Sequence, residues 1–241
     1  MSLKPANAGS DSRRDGLLKI GNDRLFPSLT DPNYLVLRAR RMIFRNWLQE
    51  LNRQNLTILD VGGRYQPYRP LFEERMGRYV ALDVFKTELV DVVGTGDLLP
   101  FGPETFDLVI ATQVFEYFPE PYRAAEQMHS VLKPGGILLM SVAALAPRFV
   151  DEEHWRFTPS GILSTLSSFR KIEVIPETYS GGGLIRTLNV FIHSLAHFDL
   201  LRRLTELSLC PLLNLVGLGV EGMNLTKNEQ FTPNYSVLAV K

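Results

Sequence analysis

The chain has 241 residues, of which 45% are hydrophobic, so it is long enough to form one substantial core. Its 26 basic and 26 acidic residues balance to a formal net charge of zero, which argues against a nucleic-acid partner. The single cysteine, Cys210, excludes an internal disulfide framework and is typical of a protein of the reducing cytoplasm.

The N-terminal part of the chain divides into a polar segment and a helix. Residues 1–31 are rich in polar residues and lack the apolar run of a signal peptide, so we expect a partly disordered segment there. Apolar residues at helical spacing predict a helix over residues 33–52. Its other face carries Arg38, Arg41 and Arg45, which indicate either a solvated surface or attraction to an anionic substrate or lipid headgroup.

From residue 56 onward, short apolar runs alternate with helical patterns. Strands are predicted at residues 56–61, 79–83, 89–93, 106–112, 137–142, 171–175 and 235–240. Helices are predicted at residues 71–76, 121–132 and 159–168, with a stop for the second at the Lys-Pro-Gly-Gly sequence of residues 133–136. Strands that alternate with helices predict an α/β fold with a mostly parallel sheet and helices on both faces.

A long insertion, residues 184–222, separates the last two predicted strands, and it is too apolar for a simple loop. A helical pattern covers residues 184–207, and the three glycines at 181–183 predict a flexible joint before it. Three roles remain open: a lid over a binding site, a homodimer interface, or a surface that lies on a membrane with Arg202 and Arg203 toward the headgroups.

Two other patterns in the insertion lead to negative predictions. The apolar stretch at residues 207–220 contains Pro211 and Asn214 and is shorter than the ~20 residues that cross a bilayer, so we predict no transmembrane helix. His193 and His197 lie one helical turn apart, as metal ligands do, but neither a cysteine nor a histidine–glutamate pair completes a site. We therefore predict no metal ion.

The first predicted strand runs into the sequence Asp60-Val61-Gly62-Gly63. Open α/β folds bind ligands at the carboxyl edge of the sheet, where this turn lies. Gly62 and Gly63 permit backbone conformations that other residues avoid, and they let a ligand approach the main chain. Asp60 is a candidate to receive the amino group of a zwitterionic ligand, directly or through water.

Two more aspartates follow the next two strands. Asp83 ends the second strand, where a carboxylate accepts both hydroxyl hydrogen bonds of a ribose. Asp97 follows the third strand, where it would accept the exocyclic amine of adenine while Leu98 packs on the ring. Each aspartate alone also fits a helix N-cap or a turn, but those roles do not predict the spacing of all three. The pattern predicts a pocket for an amino acid, a sugar and a purine.

Six motifs in this order resemble those of the class I methyltransferases, and look closest to the type 11 methyltransferase-domain family. They occupy residues 58–63, 82–83, 96–101, 106–109, 114–117 and 132–136. The resemblance implies one methyltransferase domain over residues 32–241, with a Rossmann-like seven-stranded sheet whose last strand is antiparallel. It also implies S-adenosylmethionine as the cofactor, bound by the residues singled out above and by Gln113.

The chain departs from this family in its glycine loop. The family has Asp-x-Gly-x-Gly-x-Gly; here Gly62 matches, but Arg64 and Gln66 replace the second and third glycines. Either the loop still binds the donor or its affinity is weakened, and the three aspartates favour binding. A nicotinamide-binding domain is the nearest rival, but Gly-x-Gly-x-x-Gly is absent after the first strand.

The acceptor side is predicted from the segment after the fifth strand. His154 is a candidate general base because the pKa of histidine lies near neutrality, and Arg156 is a candidate for binding a phosphate or carboxylate. Glu116 is a second candidate catalytic residue, and Trp155 and Tyr117 are candidate acceptor contacts. A general base is not required, since proximity and alignment supply much of the rate of a methyl transfer.

A structural interpretation of the same segment is that Trp155 and Phe157 pack in the core while Thr158 caps the next helix. A similar run, Asp-Trp-Arg-Phe-Thr, recurs in methyltransferases that look associated with cell-surface sugars, and this resemblance implies a glycan, a sugar nucleotide or a lipid-linked sugar as the acceptor.

The function predicted is S-adenosylmethionine-dependent, O-directed methyl transfer to a small-molecule, sugar or lipid-linked acceptor. We expect a cytoplasmic protein and leave open a peripheral contact with the inner face of the membrane and a homodimer. The alternative is a catalytically inactive relative that uses the apolar insertion as a partner-binding or membrane surface.

Overall fold

A computed structural model describes residues 8–148, 150–196, 198–223 and 228–241 of the chain. Its centre is a seven-stranded sheet whose strands β1 to β7 span, in chain order, Leu56–Val61, Met76–Asp83, Val92–Val93, Phe106–Thr112, Leu132–Ala143, Lys171–Pro176 and Asn234–Val240. The strand order is β3-β2-β1-β4-β5-β7-β6, and neighbours are parallel except that β7 is antiparallel to both β5 and β6. The predicted mostly parallel sheet with an antiparallel last strand is confirmed.

Helices cover both faces of this sheet. Helices α1 to α7 span Ala8–Leu25, Tyr34–Glu50, Pro121–Val131, Pro159–Thr165, Ser180–Leu195, Asp199–Leu207 and Leu209–Gly222. Successive residues of a strand point to opposite faces, so each face has its own core. In β1, Leu59 lies in one core with Met128 of α3 and Ile162 of α4, and Ile58 lies in the other with Phe44 of α2.

Helix α1 corrects the expectation of a partly disordered segment over residues 1–31. Its apolar residues are not concentrated on one face, so no amphipathic pattern marks it in the sequence. It is held by Leu25, which is fully buried, and by Gly21, where a Cβ atom would overlap the backbone oxygen of Tyr65. The glycine therefore lets α1 lie directly against the loop after β1. Residues 1–7 lie outside the described residues.

Several predicted elements differ at their ends. Strand β2 begins at Met76, and a 3-10 turn at Arg69–Phe72 replaces the helix expected over residues 71–76. The Lys-Pro-Gly-Gly sequence of residues 133–136 lies within β5, which follows α3 without a loop. The third strand is shorter than predicted, because only Val92–Val93 pairs with β2.

The insertion between β6 and β7 forms a layer of three helices, α5, α6 and α7. The single helix expected over residues 184–207 is two helices, α5 and α6. The glycines at 181–183 are not a flexible joint, because they lie in the first turn of α5, where a Cβ atom at Gly183 would overlap the backbone oxygen of Phe231. They permit close packing against the segment that leads into β7.

The insertion also carries the most apolar surface of the molecule. By length and composition alone, the segment Asp199–Gly222 is long and apolar enough to cross a membrane. Only 22% of its most apolar stretch of 18 residues is buried in the protein. This segment comprises α6 and α7, which meet at Ser208. The outward residues Leu200, Leu204 and Leu207 are each more than half exposed. The apolar region, Asp199–Gly222, is thus longer than the apolar stretch of residues 207–220 recognised in the sequence.

Candidate active site

The ends of β1, β2 and β3 bring the predicted donor-binding residues to one edge of the sheet. Asp60 is buried, and Tyr79 Oη donates a 2.6 Å hydrogen bond to its Oδ2. Burial raises the pKa of Asp60 to about 7, and the hydrogen bond from Tyr79 opposes this shift. Gly62 has a φ of +80°, and a Cβ atom there would overlap the side chain of Val114; Gly63 packs against the Asp60 carboxyl group. The glycine loop therefore touches the loop after β4.

Asp83, the last residue of β2, forms an ion pair with Arg64 of the glycine loop. Arg64 Nη2 lies 3.0 Å from Asp83 Oδ1, and the backbone N–H of Phe85 donates a 2.9 Å hydrogen bond to the same oxygen. The hydrogen bonds that the described residues give the Asp83 side chain all end on Oδ1, which leaves Oδ2 available. The Arg64 guanidinium also lies 4.1 Å from the centroid of the Phe85 ring. Arg64 therefore lies at the predicted ribose site.

The loop after β3 places Asp97 and Leu98 near the same edge. Thr95 Oγ1 donates a hydrogen bond to Asp97 Oδ1. Leu98 is 63% exposed and Phe85, two residues after Asp83, is 60% exposed. Exposed apolar side chains next to carboxylates offer a purine nucleoside a surface for its base and acceptors for its hydroxyl and amine groups.

A cavity of about 360 Å³ lies beyond the carboxyl ends of β4 and β5. Residues from six separate segments line it, among them Tyr68, Gln113, Glu116, Arg156, Arg186 and Asn234. Gln113 has a φ of +54° and directly precedes Val114, which contacts the glycine loop. The cavity therefore adjoins the donor-binding edge at Gln113.

A buried hydrogen-bond network beside the cavity is centred on Glu177, which follows β6. Its carboxylate accepts hydrogen bonds of 2.6 and 2.9 Å from Arg40 Nε and Nη2. Three further donors to it are Ser141 Oγ, Asn234 Nδ2 and Ser236 Oγ. Gln113 Nε2 donates to Ser141 Oγ, so the network extends to the donor edge. Burial opposes the charge of Arg40, but the Glu177 carboxylate holds its pKa above the ordinary value.

Glu116 presents a carboxylate oxygen without a partner to this region. It lies in a 3-10 turn, Phe115–Tyr117, and its Oε1 accepts a hydrogen bond from the backbone N–H of Ala143. Its Oε2 is buried and has no hydrogen-bond partner among the described residues. Burial raises the pKa of Glu116 to about 7, against smaller opposing effects of backbone hydrogen bonds and nearby arginines. Such a carboxyl group exchanges protons near neutral pH.

The structure brings only part of the predicted acceptor set to the cavity. Arg156 and Tyr117 line it, whereas His154 is exposed and, like Trp155, is not one of its lining residues. The groups that accept hydrogen bonds from Arg156 are the backbone oxygens of Ala146, Pro147 and Trp155 and the Glu153 carboxylate. Arg156 is therefore engaged with its own loop.

The structural interpretation of this segment is correct for two residues. Phe157 is buried in the core, and Thr158 caps α4 by accepting a 3.2 Å hydrogen bond from the backbone N–H of Gly161. Trp155 is instead 40% exposed, and its Nε1 donates to the backbone oxygen of Phe118. Of the two insertion histidines, His197 lies outside the described residues.

Sequence reasoning missed Arg40, Arg186, Glu177 and Asn234. Arg40 looks like one more basic residue of α2, but it lies four residues before Phe44, on the apolar stripe of that helix. Arg186 has the same relation to the buried Val190 in α5. In both helices, a charged residue within the apolar stripe was the sequence signal that could have identified a buried residue of the cavity.

Residues 59–140 match the family model described as a methyltransferase domain. A protein of Mycolicibacterium gilvum (strain PYR-GCK), named an uncharacterised methyltransferase, is 29% identical over 100 residues. The alignment covers 36% of this chain and 39% of that relative. The chain thus spans about two fifths of the length of the curated relatives it matches.

Solved structures of the same fold extend the likeness beyond this region. The cyclase SpnF matches with a TM-score of 0.54 and 17% identity over 83% of this chain and 80% of its own. The Haemonchus contortus phosphoethanolamine N-methyltransferase 2, solved with S-adenosyl-L-methionine, matches with a TM-score of 0.52 and 15% identity over 92% of this chain and 60% of its own. At such identities the likeness shows the fold alone. Residues 59–140 thus resemble a methyltransferase domain, and the chain has the Rossmann-like fold of these solved structures.

Proposed function

We propose that this chain binds S-adenosylmethionine along the ends of β1, β2 and β3 and methylates a hydroxyl oxygen of a small polar acceptor. The observation that carries the proposal is the placement of Asp60, Asp83 and Asp97 at three successive strand ends, beside a cavity and within the region that matches the methyltransferase domain.

The residues present fit this donor. Asp60 is a buried carboxyl group without a cation, and the ammonium group of the donor would favour its charged form. Asp83 Oδ2 is available to a ribose hydroxyl, and Leu98 and Phe85 offer exposed apolar surface to the adenine. One of the solved structures with this fold is itself a complex with S-adenosyl-L-methionine.

The acceptor chemistry follows from the cavity. S-adenosylmethionine, when bound, supplies an electrophilic methyl group on a positively charged sulfur. Glu116 is the proposed proton acceptor, because its Oε2 is unpartnered and its pKa of about 7 suits proton transfer near neutral pH. As the acceptor oxygen bonds the methyl carbon, the bond from that carbon to the donor sulfur would break and S-adenosylhomocysteine would leave, while the hydroxyl proton would pass to this carboxylate. His154, which is exposed and lies outside the cavity lining, stays a second candidate for the role of proton acceptor.

Sugars and lipid-linked sugars stay within this proposal as acceptors, since each offers a hydroxyl group. Arg156 and Tyr117 line the cavity and are the proposed acceptor contacts, and Trp155 would contact only an acceptor that extends beyond it.

Calorimetric titration with S-adenosylhomocysteine tests donor binding. We expect micromolar affinity for the wild type and at least a roughly tenfold loss in Asp83→Ala, because a buried charged acceptor is removed. Asp151→Ala, which removes an exposed carboxylate of the loop after β5, is the matched control and should bind normally. A well-folded wild type that does not bind would contradict the proposal.

The second candidate function is that of a non-catalytic relative. The ion pair of Arg64 with Asp83 favours it, since a guanidinium lies where the ribose would bind. In that case the titration would show no binding in the wild type or in Arg64→Ala, whereas binding gained in Arg64→Ala would show that only this side chain blocks the site.

We also propose that the outer surface of the insertion contacts the inner face of a membrane. Exposed leucines of α6, among them Leu200 and Leu204, lie next to the exposed Arg202 and Arg203, which complement anionic headgroups. The wild type should sediment with phosphatidylglycerol vesicles and less with phosphatidylcholine vesicles. The double variant Leu200→Glu, Leu204→Glu should not sediment. Leu163→Glu, an exposed position of α4, is the control; equal sedimentation of all three proteins would refute the contact.

A further inference from the structure

Arg186 of α5 is a buried cation whose direct partner is neutral. Its Nε and Nη2 both donate to Asn33 Oδ1, at 3.1 and 2.6 Å. Its Nη1 is buried and has no hydrogen-bond partner among the described residues. The side chain lines the cavity and is 4% exposed, so water does not screen its charge. A buried guanidinium normally pairs with an anion, and within the described part of the chain the hydrogen bonds of this one end on an amide oxygen.

The carboxylates nearby do not fill that role. Glu177 already accepts two hydrogen bonds from Arg40, so its charge is matched by that residue. Asp31, which also lines the cavity, accepts from the backbone N–H of Asn33, and burial raises its own pKa. Burial lowers the pKa of Arg186 to about 10; the charges of Glu177 and Asp31 oppose this shift, and the charge of Arg40 adds to it. Glu177 and Asp31 thus act on Arg186 only from a distance, since neither accepts a hydrogen bond from it among the described residues.

A second donor stands close to the same charges. Tyr68 lines the cavity, and its Oη accepts a 3.2 Å hydrogen bond from Arg40 Nη1, which leaves the phenolic hydrogen free to donate. Arg40 therefore neighbours both Tyr68 and Arg186. The unpartnered Nη1 of Arg186 and the phenolic hydrogen of Tyr68, both next to Arg40, suit an oxyanion.

The other unpartnered atoms of the cavity lining are acceptors. Glu116 Oε2 and Asn234 Oδ1 are buried without partners among the described residues, and both side chains are 2% exposed. They complement a hydroxyl or amine group. A volume of about 360 Å³ is at the small end of the range for ligand sites, which favours a compact molecule.

We propose that this cavity binds a small anionic molecule and that Arg186 binds its carboxylate or phosphate group. The inference rests on the proposed function in one respect: the ligand is taken to be the methyl acceptor, with its hydroxyl group toward Glu116. Arg186 then selects acceptors that carry a negative charge, and the insertion supplies this selectivity through α5.

Titration of the wild type with inorganic phosphate and with acetate, with and without S-adenosylhomocysteine, tests the site. Sodium chloride at equal ionic strength controls for screening. We expect phosphate or acetate to bind and Arg186→Gln to weaken binding roughly tenfold or more, because a charge-assisted donor is lost. Arg202→Gln, an exposed arginine of the same insertion, should bind like the wild type. The tighter of the two anions identifies the group that the site prefers.

Three outcomes would overturn the inference: a wild type that responds to both anions only as it does to chloride, equal binding by Arg186→Gln, or equal losses in Arg186→Gln and Arg202→Gln. If Arg186→Gln does not fold, Arg186→Lys keeps the charge but loses the planar donor pair, and it should bind several-fold more weakly than the wild type. Unchanged affinity in that variant would also count against the site. If the protein binds an anion but not S-adenosylhomocysteine, the proposed function is refuted and the anion site is not. If it binds S-adenosylhomocysteine but no anion, the anion site is refuted and the proposed function is not.

Discussion

Arg40 of α2 and Glu177 after β6 form a buried ion pair, with 2.6 Å between Nε and Oε1, although 137 residues separate them in the chain. The pair connects α2 to the end of β6, an edge strand of the sheet. Because both side chains are almost wholly buried, either charge alone would be costly. The shape of the cavity therefore depends on this pair.

Removing one member of the pair should destabilise the fold. Arg40→Met keeps much of the side-chain volume but leaves Glu177 without its cation, and we expect a loss of about 3–5 kcal/mol in the free energy of unfolding. Chemical denaturation measures it. Arg38→Met, on the same helix but less buried, should cost less than about 1 kcal/mol. Similar losses in the two variants would show that the ion pair does not hold α2 in place.

The ion pair between Arg64 and Asp83 should compete with the donor. Arg64→Ala frees Asp83 Oδ1, so S-adenosylhomocysteine should bind up to about fivefold more tightly, since a partly exposed ion pair is worth up to about 1 kcal/mol. Calorimetry of this variant beside Arg78→Ala, an exposed arginine of β2, measures the effect. Weaker binding in Arg64→Ala would instead assign the guanidinium a contact with the donor.

The buried carboxyl group of Glu116 should make stability fall as pH rises. Its pKa is about 7 in the folded protein, above the ordinary value of 4.5, so between these values the folded state holds a proton that the unfolded state has lost. Stability from this group is therefore present below pH 4.5 and lost as pH rises to about 7.

Glu116→Gln keeps the shape of the side chain but does not titrate. From pH 4.5 to pH 8, the wild type should lose on the order of 3 kcal/mol relative to this variant. Denaturant titrations of both proteins at several pH values measure the difference. Parallel pH curves would show that Glu116 keeps its ordinary pKa.

Two helical glycines of the insertion should respond to alanine in opposite directions. A Cβ atom at Gly183 would overlap the backbone oxygen of Phe231, so Gly183→Ala should cost at least about 1–3 kcal/mol of stability through overpacking. Gly219, in α7, has open space at its Cβ position, and Gly219→Ala should add up to about 1 kcal/mol through helix propensity. Denaturation of both variants checks the signs. A neutral Gly183→Ala would restore the flexible-joint interpretation.

The sequence by itself determined the sheet and placed the predicted donor-binding residues at one edge of it. Asp60, Gly62 and Asp83 each adjoin an apolar strand in the chain, so strand and ligand residue are visible in one short stretch, and the parallel fold then brings the strand ends together. Such a pattern is local, so it can be recognised in the sequence without knowledge of the tertiary structure.

Only the tertiary structure decided the cavity. Arg40, Glu116, Arg186 and Asn234 come from four distant segments, and no local pattern in the sequence predicts that these segments meet. Their importance arises from burial, which turns an ordinary arginine into a paired or unpaired charge and raises the pKa of an ordinary glutamate. Burial depends on which surfaces the folded chain brings together, and for that reason the sequence could predict the proposed donor site but not the proposed anion site.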